Sequence, residues 1–396
     1  MSHIRFAAAA CQTDLANPLD RRQMRANTDR MLAMVDAAVA GSAPFLPVRL
    51  VVFPEFAHAA PVFPTVEELR RRLAVPIPNE HTERLTEKAR EHDLYIQSGS
   101  MLEEHERWPG FVFNTTCLIG PGGILSTFRK VNTWVPYEVH ASPHDVPDFD
   151  LPLFPVAETP LGRIGCAICY DWLFPEALRQ LTANGAEILV RVSAYMDPWG
   201  ATEPMAWWTV VNRARALENV AYVVAANQGA SLRHYPPYTW PGGSQVIDFE
   251  GRVLAEASPG PGERIVVAPI DVSALRHERA TRVGHHMPAH LRTEAYPVYR
   301  AAGYPRRERS DVPLSYEENG RRIQAAKEDF ERRGSAAATA EAGSPAPPHA
   351  VGDPPTRTRP PGPASGSSST RLDTRTATAS CSTSTRAQKG DPSHGR

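Results

Sequence analysis

The sequence predicts an α/β protein of two similar halves, whose sheets pack face to face with helices outside as a four-layer α-β-β-α sandwich. Two observations support this prediction. Short apolar runs alternate with segments of helical periodicity from residue 4 to about residue 334. The order strand–helix–strand–helix followed by a hairpin also occurs twice within this region. We therefore expect two halves with the same arrangement.

The first half contains three predicted strands, two predicted helices and a hairpin. Its first helix carries Met24, Met31 and Val35 at helical spacing. Its hairpin is indicated by the Pro-Gly-Gly turn at 121–123 between two apolar runs. In chain order we predict strand 6–10, helix 17–39, strand 50–53, helix 82–92, strand 95–101 and hairpin strands 113–119 and 124–128.

The second half repeats this order. Its first strand runs directly into Cys169, and Gly185 is expected to end the helix that follows. A Glu-Gly turn at 250–251 indicates the second hairpin. The predicted elements are strand 163–168, helix 174–184, strand 188–192, helix 205–218, strand 221–226, hairpin strands 245–249 and 252–255, and a last strand 265–270.

Composition divides the chain into two regions. Residues 1–334 form the predicted folded domain, with a C-terminal arm at about 285–334. Residues 335–396 contain no Phe, Trp or Tyr and are mostly Ser, Thr, Ala, Pro, Gly and Arg. Such a segment cannot bury enough apolar surface to offset its ordering entropy, so we predict a disordered low-complexity tail.

Charge and hydropathy narrow the functional class. The 396 residues are 42% hydrophobic and 22% charged, with a formal net charge of -1. This balance gives no indication of a nucleic-acid partner. No apolar run approaches the length of a membrane span, and residues 1–10 do not resemble a signal peptide. We expect a cytoplasmic protein without membrane or nucleic-acid partners.

The segment around Cys169 predicts a reactive thiol. An apolar strand ends at Cys169, and a helix is expected from about Phe174. A strand–turn–helix elbow exposes a nucleophile and directs backbone N–H groups and a helix N-terminus toward it, which favours the thiolate. The same donors can form part of an oxyanion hole. A buried structural cysteine is equally compatible with this segment alone.

Two further residues become informative only together with Cys169. Glu55 follows the apolar strand that ends in Phe53-Pro54, at an edge where α/β proteins place their sites, and its carboxylate can serve as a general base. Lys130 follows a hairpin strand and can act as a fixed cation that stabilises an oxyanion. Each of them alone would more commonly be a solvated side chain.

The loop after Lys130 adds a second carboxylate and two aromatic rings. Glu138 can position the nitrogen of a substrate or the attacking water. Trp134 and Tyr137 can form aromatic walls of the same pocket. A solvated loop is the alternative.

The five cysteines, which include one C-x-x-C pair, also allow a redox function. An odd and scattered set does not indicate a disulfide framework, and no second pair or histidine pair completes a zinc site. If a strand runs through both Cys166 and Cys169, their side chains face apart and cannot pair. The five are Cys11, Cys117, Cys166, Cys169 and Cys381.

The three motifs in this chain order resemble the nitrilase superfamily of carbon–nitrogen hydrolases. They are Phe53-Pro54-Glu55, Arg129-Lys130 and the elbow Ile168-Cys169-Tyr170-Asp171 with Phe174-Pro175-Glu176. The resemblance covers about residues 4–304. It implies the four-layer sandwich and a Glu–Lys–Cys triad of Glu55, Lys130 and Cys169. It also implies a homodimer or larger homo-oligomer that uses no metal or organic cofactor.

The motifs also indicate the branch. Nitrilases typically have Cys-Trp-Glu at the elbow, and Cys169-Tyr170-Asp171 therefore favours an amide over a nitrile. The spacing from Lys130 to Glu138 looks like that of aliphatic amidases and formamidases, in which the second glutamate is catalytically important. The segments 188–196 and 295–299 also look like those amidases. The expected pocket residues are Tyr170, Trp134, Tyr137, Ser193 and Tyr195.

Other features favour a different branch. The segment 172–176 looks more like N-carbamoyl amine hydrolases, and His140 stands where the amidases have a tryptophan. We therefore predict a cysteine-dependent amidase that releases a carboxylic acid and ammonia through a thioester. An N-carbamoyl amine or amino-acid hydrolase is the alternative. A nitrilase and a catalytically silent binding module on the same fold are weaker alternatives. The predicted partner is a small amide or ureido substrate.

Overall fold

The computed structural model of the chain describes residues 3–134, 138–196, 206–234, 239–296 and 312–343, with the backbone alone for 333–343. Contacts divide the chain into two compact units, Met1–Ala340 and Glu341–Arg396. The second unit is described only at 341–343, where a helix ends. The fold that follows is therefore that of the first unit.

The first half of the chain contributes five strands and three helices. The prediction missed the short helix α2, and it placed the start of α1 too early. Asp20 caps a short 3₁₀ turn at Arg21–Gln23, and the α-helix begins only after this turn. The elements are β1 Arg5–Gln12, α1 Met24–Ser42, β2 Val48–Phe53, α2 Val66–Arg72, α3 Glu80–His92, β3 Tyr95–Glu104, β4 Val112–Gly120 and β5 Gly123–Arg129.

The second half contributes seven strands and two helices before the C-terminal helices. The prediction missed β6, a four-residue strand that is too short to give a clear periodicity. The elements are β6 Val156–Thr159, β7 Gly162–Ile168, α4 Pro175–Ala183, β8 Ile188–Ser193, α5 Trp207–Asn219, β9 Tyr222–Asn227, β10 Gln245–Ile247, β11 Val253–Glu256, β12 Arg264–Asp271, α6 Val272–Thr281, α7 Met287–His290 and α8 Tyr316–Gly343.

The strands form two six-stranded mixed sheets whose orders repeat each other. The first sheet has the order β12-β1-β2-β3-β4-β5, and the second has the order β6-β7-β8-β9-β10-β11. In each sheet the second to fourth strands run parallel and the remaining strands pair antiparallel. The predicted repeat of two halves is confirmed. The sequence pattern did not indicate that β12 returns to pair with β1.

Alternation along the strands builds the layers. In β1, Ala8 and Ala10 lie in a core that includes residues of both sheets. Their neighbours Ala7 and Ala9 lie in a second core, with residues of α1 and α3. In the second sheet, α4 and α5 contribute buried residues to the first core. The four-layer α-β-β-α sandwich is thus confirmed.

The described chain after β12 contains α6, α7 and α8, and the arm predicted at about 285–334 stays a prediction. Tyr316, at the start of α8, packs against the core cluster that contains Val139, beside Glu138. The predicted domain boundary at residue 334 falls within the backbone of α8, and the tail after it stays a prediction. Among the described residues, no helix combines the length and the apolar character that a membrane crossing requires.

Candidate active site

The ends of strands from both sheets meet at one place. Glu55 lies two residues beyond β2, and Lys130 directly follows β5 in the first sheet. Cys169 directly follows β7, and Ser193 is the last residue of β8 in the second sheet. The candidate catalytic side chains therefore come from short connections that rigid strands hold in position.

A glycine allows the Glu55 loop to dock on β3. Gly99 has φ +72, and a Cβ atom there would lie only 2.6 Å from the Pro54 carbonyl oxygen and 2.9 Å from Ala57 Cβ. The Phe56 N–H donates to Ser100 Oγ at 2.9 Å. Because the backbones approach so closely, only glycine fits at position 99. Residue 99 thus helps to fix the carboxylate of Glu55.

Lys130 lies between two buried carboxylates. Its Nζ is 2.8 Å from Glu55 Oε1 and 2.7 Å from Glu138 Oε1. All three side chains are at least nine-tenths buried. One cation therefore bridges two anions in a region where charges are poorly screened.

Neighbouring donors hold the Glu55 carboxylate. Asn114 Nδ2 donates to Glu55 Oε1 at 2.8 Å, and the Ala194 N–H donates to Oε2 at 2.9 Å. Gln228 Nε2 also donates to the Glu55 carbonyl at 2.8 Å, which links the end of the second sheet to this loop. Oε2 accepts a single one of these bonds, so it keeps an acceptor position for a further proton.

Glu138 is held as an anion. Its Oε2 accepts the Trp134 N–H at 2.5 Å and lies 3.3 Å from His140 Nε2. Burial alone would raise the pKa of Glu138, but Lys130 and His140 outweigh burial and lower that pKa to about 2. The second glutamate therefore carries a negative charge throughout the neutral pH range.

Cys169 occupies a strained elbow. Its φ is +44, in the left-handed region that non-glycine residues rarely adopt, and a 3₁₀ turn spans Cys169–Leu173. Asp171 holds this turn on both sides. Its Oδ1 accepts the Asn132 N–H at 2.7 Å and its Oδ2 accepts the Ile168 N–H at 3.2 Å. Asp171 thus connects the Cys169 elbow to the loop after Lys130.

The thiol of Cys169 is protonated in the resting site. Burial, followed by the nearby Glu55, raises the pKa of Cys169 to about 12 although Lys130, Ser193 and Arg191 lower it. The expectation that the elbow would favour the thiolate is therefore wrong for the resting state. The main reason is burial of the thiol, to which the negative charge of Glu55 adds. A base is needed to generate the nucleophile.

Lys130 stays positively charged. Burial alone would lower the pKa of Lys130, but Glu138 and Glu55 outweigh burial and raise that pKa above its ordinary value. Lys130 is therefore a buried cation and is unsuited to accept a proton; its role toward an oxyanion stays a prediction.

The predicted pocket residues lie in different surroundings. Tyr170 is partly exposed, and its ring contacts Phe174 edge-on at 5.2 Å between centroids. Ser193 is buried beside Cys169. Tyr195 is mostly buried and packs against Trp208, with ring centroids 6.0 Å apart. Tyr137 lies outside the described residues. Their contacts with substrate stay a prediction.

Two buried polar residues of the site were not predicted. Asn114 lies within the apolar strand β4, and Arg191 lies within the apolar strand β8. A polar or charged residue inside such a run is the signal that could have indicated them, because burial of a polar group requires a partner or a function. Cys166, by contrast, lies within β7 in the sheet–sheet core. All cysteines of the described region are free thiols.

Other candidate sites lie elsewhere. A cavity of about 610 Å³ lies between α3 and β5, and none of the residues described for the Cys169 site lines it. In the described part of the chain, one group of possible metal ligands, Asp36, Glu91 and His92, lies outside the Cys169 site. Asp36 and Glu91 already form ion pairs with Lys88.

The geometry agrees with comparisons to known proteins. Residues 7–280 match the carbon-nitrogen hydrolase family, which is more than half of the chain. The chain therefore belongs to this family, in agreement with the resemblance of its motifs to carbon–nitrogen hydrolases.

Two relatives within the family show measurable sequence similarity to the chain. The chain is 35% identical over 222 residues to bovine deaminated glutathione amidase, covering 54% of this chain and 64% of the relative. It is 29% identical over 259 residues to a Bacillus cereus formamidase, covering 64% of this chain and 71% of the relative. The chain thus matches less than two thirds of the length of the bovine enzyme.

Solved structures share the fold. Nit3 of Saccharomyces cerevisiae, a member of branch 10 of the nitrilase superfamily, has a TM-score of 0.58 and 23% identity, with 71% of this chain and 95% of Nit3 covered. An amidase from Nesterenkonia has a TM-score of 0.53 and 22% identity, with 75% and 97% covered. At this identity the likeness concerns the fold alone.

Proposed function

We propose that the protein cleaves a small aliphatic amide to a carboxylic acid and ammonia through a thioester at Cys169. The observation that carries this proposal is the buried Glu55–Lys130–Glu138 cluster beside a protonated thiol. A base, a fixed cation and a nucleophile are the parts that acyl transfer requires. The amidase names of the relatives and the Tyr170-Asp171 elbow support an amide substrate.

Acylation begins with the thiol. Glu55 takes the Cys169 proton through Oε2 while the sulfur attacks the carbonyl carbon and the carbonyl electrons move to oxygen. Lys130 and the backbone N–H after Cys169 stabilise this oxyanion. The C–N bond then breaks, and protonated Glu55 gives its proton to the leaving ammonia. A thioester and an ionised Glu55 remain.

Deacylation uses the same base. Glu55 takes a proton from water, whose oxygen attacks the thioester carbonyl, and the Cys169 sulfur leaves and recovers the proton. Glu138 stays ionised, so it keeps Lys130 charged and can orient the water or the substrate nitrogen. This division of labour explains why the site needs two carboxylates with one cation between them.

A substrate screen tests the proposal. Short aliphatic amides, ureido acids and nitriles are supplied to the full chain, and ammonia and carbon dioxide are measured separately. We expect ammonia without carbon dioxide from short amides and no release from the Cys169→Ala variant. Release from nitriles alone, or equal release from the variant, would refute the proposal. Absence of turnover together with an unreactive Cys169 would favour a silent binding module.

An N-carbamoyl amine hydrolase is the second candidate. It rests on the segment Trp172-Leu173-Phe174-Pro175-Glu176, which resembles that branch. Such an enzyme releases carbon dioxide together with ammonia from a ureido substrate. Equal amounts of both products in the same screen would select this reading.

We also propose that the chain forms a homodimer or a larger homo-oligomer. The helix α5 exposes Trp207, Val210 and Leu217 on one face, with 43%, 59% and 44% of their surfaces accessible. Their spacing of three and seven residues places them in one stripe. An exposed apolar stripe of this kind is typical of an interaction surface. We also propose that residues 335–396 form a low-complexity tail.

A further inference from the structure

Arg191 is a buried cation that forms no ion pair within the described part of the chain. It lies fully buried in β8, within the run Ile188-Leu189-Val190-Arg191-Val192. Its Nη1 donates to Asn212 Oδ1 at 2.6 Å, whereas Nε and Nη2 have no hydrogen-bond partner among the described residues. A buried arginine normally pairs with a carboxylate, so its surroundings need an explanation.

Three aromatic rings surround the guanidinium. Its carbon lies 4.2 Å from the ring centroid of Trp208, 5.2 Å from Tyr195 and 5.3 Å from Trp172. The faces of aromatic rings stabilise a cation through their quadrupoles and contribute no net charge. The rings therefore hold the guanidinium in place and leave its positive field available to neighbouring groups.

The sheet register places Arg191 near the thiol. Arg191 pairs with Ala167 across β7 and β8, and Cys169 lies two residues beyond Ala167. Ser193, beside Cys169, lies two residues beyond Arg191 on the same face of β8. Cys169 is also the charge partner that most strongly raises the pKa of Arg191 against the effect of burial. The charged or titratable groups around the two residues are Glu55, Lys130, Tyr195 and Arg215.

The charge balance of the site gives Arg191 a role. The single charge of Lys130 is already shared by Glu55 and Glu138. When Glu55 takes the Cys169 proton, one negative charge moves from the carboxylate to the sulfur or the carbonyl oxygen, and the centre keeps an excess of negative charge. A second cation that is not already neutralised can compensate for it.

We propose that Arg191 is a positioning residue whose ring-enclosed guanidinium stabilises the negative charge that develops at Cys169 during attack. The role of Arg191 in catalysis rests on the proposed function. Its effect on the reactivity of the Cys169 thiol can be measured without turnover. Arg191 itself does not touch the reacting atoms.

Thiol alkylation tests the proposal. The full chain is treated with iodoacetamide at several pH values between about pH 7 and pH 9, and the alkylated Cys169 peptide is quantified by mass spectrometry. Below its pKa, a thiol reacts about tenfold faster for each unit by which the pH rises. We expect alkylation of Arg191→Met to be at least about tenfold slower than wild type at each pH, which corresponds to a pKa increase of about one unit. Arg191→Lys, which keeps the charge, should lie between the two.

Arg279→Met is the matched control. Arg279 is a partly buried arginine, and burial also lowers its pKa to about 10, but it donates to the carbonyls of Val220 and Ala186. This variant should alkylate at the wild-type rate. Equal rates for folded Arg191→Met and wild type would overturn the proposal. If neither Arg191→Met nor Arg191→Gln folds, Arg191 is a structural core residue and the proposal also fails.

The experiments distinguish failure of the proposed amide hydrolysis from failure of the proposed effect of Arg191 on the thiol. If Cys169 of the wild type reacts with iodoacetamide but no amide releases ammonia, the proposed function fails and the effect of Arg191 on the thiol is still measured. If amides are hydrolysed, Arg191→Met should lower kcat by about the same factor as the alkylation rate and leave KM within about twofold.

Discussion

At the scale of single residues, the proposed chemistry depends on a small group of buried charged side chains. Lys130 contacts both Glu55 and Glu138, and the Cys169 thiol lies beside them with a pKa raised to about 12. A protonated thiol next to an ionised carboxylate is poised for one proton transfer. In this arrangement the thiolate forms only when Glu55 takes the proton during attack, which avoids a buried, permanently charged sulfur.

Replacement of the two neighbouring cysteines should separate their roles. We expect Cys169→Ser to lower kcat/KM at least about a thousandfold, because the covalent step is lost. Cys166→Ser should retain most activity, since Cys166 lies in the core and its thiol donates a long hydrogen bond to the Ala167 carbonyl at 3.8 Å. Initial rates of ammonia release measure both. A comparable loss in both variants would indicate a joint role, such as a redox pair.

The sequence allowed prediction of residues that end strands and missed residues inside them. Glu55, Lys130 and Cys169 each follow a predicted strand, and their joint occurrence in this chain order indicated them. Asn114 and Arg191 lie within strands, and their partners come from distant segments such as the Glu55 loop and α5. Local periodicity contains no information on such long-range contacts, so these residues could be identified only from the structure.

At the scale of elements, strand ends and their connections set the geometry. The repeated parallel core of each sheet was predictable from alternation and turn residues. The strands at the other positions were harder to predict from the sequence. β6 has only four residues, and β12 pairs with β1 more than 250 residues away. Pairing between distant strands is determined by packing of the whole domain, which local sequence does not indicate.

The contact of β3 with the Glu55 loop predicts a sensitive glycine. Gly99→Ala should lower both the free energy of unfolding and kcat, because a methyl group would overlap the Pro54 carbonyl oxygen at 2.6 Å and displace the loop. Gly110→Ala is the control, since Gly110 also has a positive φ (+94) but no atom within 4 Å of the added carbon.

Strain from positive φ costs about 1–2 kcal/mol in either variant. Urea unfolding and amide turnover should therefore show a larger loss for Gly99→Ala than for Gly110→Ala, and a loss of kcat in the former alone. Equal effects of the two substitutions would mean that the close contact does not position Glu55.

Two buried histidines make the packing of α1 and α3 sensitive to acid. Thr28 Oγ1 lies 3.3 Å from His58 Nδ1 and 2.8 Å from His81 Nδ1. Burial and the nearby His81 lower the pKa of His58 to about 3, and burial also lowers that of His81. Below the ordinary value of 6.5 the unfolded chain binds protons that the native state excludes. Stability is therefore complete above that pH and is lost as pH falls.

The expected loss is about 1.4 kcal/mol per pH unit for each fully excluded proton, between about pH 6 and pH 5. Urea unfolding at both pH values measures it. His58→Gln should reduce the slope, whereas replacement of the exposed His290 by Gln should leave it unchanged. An unaltered slope in His58→Gln would show that other groups cause the acid sensitivity.

At the scale of the whole molecule, the sandwich joins two halves through one apolar core. Small residues such as Ala8 and Ala10 lie in this core with residues of the second sheet, and the proposed catalytic groups come from both sheets. The site is therefore complete only when the sheets are packed. Substrate turnover should report the integrity of the whole domain.

The exposed stripe on α5 predicts how copies associate. Val210→Glu should shift the chain toward a monomer, because burial of a charge in an apolar contact is unfavourable. Phe45→Glu is the control, since Phe45 is 87% exposed but lies outside α5. Mass photometry measures the distribution. A wild-type chain that is monomeric at every concentration, or an unchanged Val210→Glu assembly, would contradict the α5 interface.

The most direct test of the central claim is the intact mass of the enzyme, quenched in acid during turnover of a short aliphatic amide. The account predicts a mass increase equal to the acyl group, located on the Cys169 peptide and absent from Cys169→Ala. Hydroxylamine should remove the adduct, as expected for a thioester. Turnover of the amide by folded Cys169→Ala, or an acyl group on another residue, would contradict the account.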